Sequence, residues 1–81
     1  PAEAEKTFAA ALAEADRIES PMSKAHALSD VAEKFSKAGQ PARAHEVLAQ
    51  TEQVAAKIPE ADAKDQALQR VRGLMAKLPK P

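Results

Sequence analysis

The stretch SPMSKAHALSDVAEKFSKAGQP, residues 20–41, holds the start, body and end of one helix in order. Ser20 offers a side-chain acceptor suited to an N-cap, Pro21 fits the first helical turn, and Gly39 fits the left-handed position just past the end. Between them Ala25, Leu28, Val31, Ala32, Phe35 and Ala38 recur at three- and four-residue steps, which gathers apolar side chains on one helical face. A helix over about 21–38 is predicted.

Upstream, Phe8, Ala11, Leu12, Ala15 and Ile18 form a similar stripe, with Glu14, Asp16 and Arg17 turned away from it. They predict a helix over about 3–19. Downstream of Gln40-Pro41, the set Ala44, Val47, Leu48, Thr51, Val54, Ala55 and Ile58 predicts a third helix over about 41–58, stopped by Pro59. A fourth, marked by Ala67, Leu68, Val71, Leu74, Met75 and Leu78, runs over about 61–78 and ends at Pro79-Lys80-Pro81. The connections are about two to four residues long, which forces antiparallel neighbours. The expected fold class is all-α, with residues 1–81 forming a single helical domain built from antiparallel hairpins.

Composition agrees with this and excludes much else. Of 81 residues, 44% are apolar and 30% charged, with no cysteine, tryptophan or tyrosine and two phenylalanines. Alanine is the commonest residue while β-branched and aromatic residues are few, so strands are disfavoured. Lys plus Arg equal Asp plus Glu at twelve each. The balanced charge gives no general attraction to nucleic acid or to an anionic bilayer. No uncharged run approaches the roughly 20 apolar residues of a membrane span, so a soluble chain with no membrane partner is expected. Without cysteine there is neither disulfide nor thiol chemistry, and the compartment stays undetermined, a cytoplasmic location being the default expectation. The first residue is Pro rather than Met, which fits a processed product or an excerpt and leaves a removed signal peptide open.

Displacing the chain by 40 residues pairs Phe8 with Leu48, Ala15 with Ala55, Ile18 with Ile58, Lys24 with Lys64, Ala27 with Ala67, Leu28 with Leu68 and Val31 with Val71. The repeating unit is a helical hairpin, and only the middle one, about 21–58, is complete. Prolines 21, 41, 59 and 79 fall at half this period.

At that hairpin the chain resembles a tetratricopeptide (TPR) or TPR-like repeat. Leu28, Val31, Ala32, Phe35, Gly39, Ala44, Leu48 and Thr51 stand at the spacings of the family pattern. The family's usual Trp and Tyr are absent and its period is about 34 residues. Helices extended by about a turn account for the longer period here. The resemblance implies an α-solenoid segment whose concave groove, built by the first helix of each hairpin, binds a peptide or helix of another protein. On those helices the off-stripe positions are His26, Ser29, Asp30, Glu33 and Lys37, with counterparts Gln66, Gln69, Arg70, Gly73 and Lys77. The groove residues implied are His26, Ser29, Asp30, Glu33, Lys37, Gln66, Gln69 and Arg70. The subset of the family that clamps a terminal carboxylate needs Lys and Asn where Ser29 and Glu33 stand, so recognition of that sort is not expected.

His26 with Asp30, and His45 with Glu46, are the candidate metal ligands. Two histidines a helix apart, with no cysteine and no HExxH spacing, fit solvated surface positions better. No phosphate loop, serine elbow or carboxylate cluster is present, so neither catalysis nor a cofactor is expected.

Charge is uneven along the chain. Residues 1–20 are acidic and residues 61–81 basic; end-to-end stacking of copies is one reading and a small basic patch of Arg70, Arg72, Lys77 and Lys80 for an acidic partner or RNA another, but ordinary solvated surface charge, with bases favoured near a helix C-terminus, is the reading expected. Arg72 occupies the place that the small Ala32 holds in the complete hairpin, so the last helix is expected to cap the array. The function expected is that of a protein–protein interaction module. The alternative is a purely structural or self-assembling four-helix protein without a ligand groove.

Overall fold

The computed structural model describes residues 2–78, with side chains from residue 6 onward. The expectations placed on Pro79, Lys80 and Pro81 lie outside the described residues. Four helices account for the fold: α1 Ala2–Asp16, α2 Pro21–Lys37, α3 Pro41–Ala55 and α4 Ala61–Lys77, with no strand among the described residues.

Local chemistry sets most of these boundaries. Ser20 caps α2 by accepting from the Ser23 amide at 3.4 Å, and Pro21 and Pro41 open α2 and α3. Gly39 closes α2 with φ 79°, its N–H donating to the Ser36 carbonyl at 3.1 Å while the Gln40 N–H donates to Phe35 at 2.9 Å. This pair of bonds satisfies carbonyls that the helix end leaves open.

At two ends the structure is shorter than the apolar stripe suggested. The stripes through Ile18 and Ile58 predict helices to about 19 and 58, whereas α1 ends at Asp16 and α3 at Ala55. In both places the chain tightens into a 3₁₀-type turn: the Ile18 N–H donates to Ala15 and the Ile58 N–H to Ala55, each at 3.1 Å. Ile58 stays buried without being helical. The same exit occurs 40 residues apart.

The α2–α3 hairpin is the centre of the molecule. Leu28, Ala32 and Phe35 of α2 share one buried cluster with Ala44, Val47 and Leu48 of α3, joined by Val71 of α4 and Phe8 of α1. Alanines at the contact let the backbones draw close, while the larger side chains fill the space beside them. Phe8 meets Phe35 with ring centroids 4.3 Å apart and a 45° tilt, which seats α1 on α2. A second cluster of Ala25, Ala55 and Ile58 receives Ala63, Ala67 and Leu68 from α4.

The packing is sequential rather than closed. α1 lies against α2, α4 lies against both α3 and α2, and α1 approaches neither α3 nor α4 closely at the backbone. The result is a slab of 39 × 27 × 14 Å.

The α4 end is polar. Ala25, Ser29 and Ala32 of α2 are buried, but their counterparts Asp65, Gln69 and Arg72 are exposed. Arg72 Nε turns to Glu52 Oε2 of α3 at 3.5 Å. A further helix on this flank would have to bury two charged side chains and an amide, which is costly without exact partners.

Candidate functional site in the groove between α2 and α4

Because α2 and α4 are each antiparallel to α3, they run side by side in the same direction. Positions related by the 40-residue displacement therefore stand at the same level along the two helices. His26, Asp30 and Glu33 fall on successive turns of one face of α2, and opposite them α4 presents Arg70.

Arg70 spans the gap. Its Nη1 donates to His26 Nδ1 at 3.0 Å, and its Nη2 donates to Asp30 Oδ1 at 3.0 Å and to Glu33 Oε1 at 3.2 Å. The first bond requires Nδ1 to be unprotonated. Burial alone would lower the guanidinium pKa, but the hydrogen bonds and charges of Asp30 and Glu33 outweigh it, so the pKa lies above its ordinary value. His26 Nε2 stands only 4.0 Å from Asp30 Oδ2, so the i, i+4 pair expected from sequence is the weaker contact. A guanidinium fills the place around which a metal would need its ligands.

Two hollows flank this bridge along the groove. The larger, about 430 Å³, lies toward the start of α2 and is lined by Met22, Ala25, His26, Ser29, Asp30, Ala67 and Arg70, among others. Met22 is the one large apolar side chain strongly exposed among the described residues. The smaller, about 280 Å³, lies toward the helix ends. Ala32 and Leu48 are buried at its base, Leu74 of α4 and Leu78 just past its end form a half-buried wall, and Glu33, Ser36, Lys37 and Lys77 complete its lining.

The eight residues expected in the groove divide. His26, Asp30, Glu33 and Arg70 come together in one hydrogen-bonded group. Ser29 lines the first hollow but is only 2% exposed, so it contributes to the wall rather than to the rim. Lys37 lines the second hollow, while Gln66 and Gln69 are exposed and line neither. Sequence reasoning missed Met22, Ala67, Leu74 and Leu78 as groove residues. For Ala67, Leu74 and Leu78 the available signal was their place in the apolar set of the last helix; nothing in the sequence singled out Met22.

Of the basic patch, Arg70 and Arg72 are each paired with carboxylates. No described helix is long and apolar enough to cross a membrane. Comparison with protein-family models, curated proteins and solved structures finds no match, so the site is read from its own chemistry.

Proposed function

We propose that this chain is a TPR-like protein–protein interaction module that holds a peptide or helix of another protein in the groove between α2 and α4. The observation that carries the reading is the pair of hollows on either side of the Arg70 bridge, each lined by apolar and polar side chains together. Apolar surface interrupted by polar groups suits anchor side chains on an extended or helical segment, with the polar groups fixing its direction.

A test is to select peptides from a random displayed library on the full chain and to map the best binder by amide shift changes. The expected shifts fall on residues 26–37 and 67–78. Binders that perturb only α1, or no binder at all, would remove the reading.

A specific observation favours a second reading. All three partners of Arg70 come from α2, so the bridge also serves as a clamp that fixes α4 in a purely structural helical protein. In that case the selection yields nothing, and breaking the bridge changes only stability.

A further inference from the structure

Resting on the groove reading above, we infer that the hollow between the C-terminal halves of α2 and α4 takes an acidic peptide segment: an aliphatic side chain in the hollow, flanked by carboxylates. Leu48, Leu74 and Leu78 make its interior apolar. At about 280 Å³ it is near the lower limit of roughly 300 Å³ for ligand pockets, a size for an anchor side chain rather than for a whole cofactor.

The sign of its rim follows from the pairing. Glu33 lies at the edge and shares the one guanidinium of Arg70 with Asp30, at 3.2 and 3.0 Å, so that trio keeps one net negative charge against the two lysines of the rim. Lys37 and Lys77 line the same hollow from the two helices, both exposed, and no carboxylate pairs with either among the described residues. The carbonyl ends of the helices oppose them with partial negative charge. At α2, however, the carbonyls of Phe35 and Ser36 are taken by the Gln40 and Gly39 amides. Two unpaired ammonium groups around an apolar floor complement Asp or Glu beside Leu. Such side-chain carboxylates sit at least a turn beyond Ser29 and Glu33, so this site differs from a terminal-carboxylate clamp.

Three labelled hexapeptides on the full chain test this: Asp-Glu-Leu-Leu-Glu-Asp, Ser-Asn-Leu-Leu-Asn-Ser and Lys-Lys-Leu-Leu-Lys-Lys, read by fluorescence anisotropy and amide shift mapping. The acidic peptide should bind about tenfold tighter than the neutral one, as two exposed charge pairs supply, and should shift Lys37, Leu74 and Lys77. The double variant K37E/K77E should reverse the order in favour of the lysine peptide at unchanged helicity. Equal or tighter binding of the neutral or basic peptide in the groove overturns the inference and leaves the groove reading standing. Absence of shifts on α2 and α4 for all three at roughly 1 mM, well above the range of specific peptide binding, overturns the inference. Failure of the displayed-library selection would then remove the groove reading as well.

Discussion

Asp30 and Arg70 hold equivalent places 40 residues apart, and the two are bonded, Arg70 Nη2 to Asp30 Oδ1 at 3.0 Å. The helical displacement that defines the repeat is thus closed by an ion pair between its own related positions. Glu33 and His26 add to the same guanidinium, so one side chain of α4 answers three turns of α2.

Replacing Arg70 by Met keeps its stem and removes the bridge. The side chains are one-third to one-half exposed, so the expected loss is about 1 kcal/mol in urea unfolding, in the range of exposed ion pairs and smaller at high salt. Lysine should not restore it, since one ammonium lacks the forked geometry. The raised pKa of Arg70 means that its stabilisation is complete below the ordinary arginine value and is lost only as pH rises through the still higher folded value. The difference between the protein and R70M should therefore be constant from pH 8 to 10, where the guanidinium keeps its charge.

The two glycines predict opposite signs. Gly39 has φ 79° with open space around its Cβ direction, so G39A suffers from backbone conformation alone. The expected loss is about 1–2 kcal/mol. Gly73 is exposed within α4 and a Cβ there also meets nothing. G73A should gain about 0.5–1 kcal/mol through helix propensity. Thermal unfolding of both variants decides; a shared sign would contradict the account.

Phe8 packs its ring on Phe35, and among the described residues α1 meets only α2 at the backbone. F8A should release α1 as a local event rather than unfold the molecule. In hydrogen exchange, amides of residues 6–16 should lose protection while those of α2 and α3 keep theirs. Uniform loss across all four helices would show that α1 belongs to the central cooperative unit.

Thr51 is fully buried, and its Oγ1 donates to the Val47 carbonyl at 2.7 Å. That carbonyl also accepts the helical amide bond of α3, so removing the hydroxyl leaves no group without a partner. T51V loses a hydrogen bond of about 0.5–1.5 kcal/mol and gains about 0.8 kcal/mol of apolar burial. Its stability should match that of the protein within about 1 kcal/mol. A much larger loss would show that the hydroxyl has a further task.

The helices were legible because Pro21, Pro41 and Gly39 mark boundaries by backbone chemistry, which acts locally and needs no neighbours. The exits of α1 and α3 were not, because apolar spacing reports burial: a 3₁₀-type turn brings Ile58 into the core without extending the helix. The groove shows the same limit. Its bridge was foreshadowed by opposite charges at related positions 30 and 70, and Ser29, expected to line the groove as an off-stripe position, lines the first hollow as a buried wall residue. Register put Gln66 and Gln69 in the groove, whereas both are exposed away from its hollows. Leu74 and Leu78, read as core, are half-covered because only one side of α4 has a neighbour.

If the groove binds as proposed, the exposed trio Asp65, Gln69 and Arg72 sets how many anchors one molecule would offer. With small residues at those places, as on α2, another hairpin would find a seat and the groove would lengthen by one wall. On the reading proposed above, the side chains present keep the groove at two walls, so a partner would be read over a single span and would have to supply its selectivity within it.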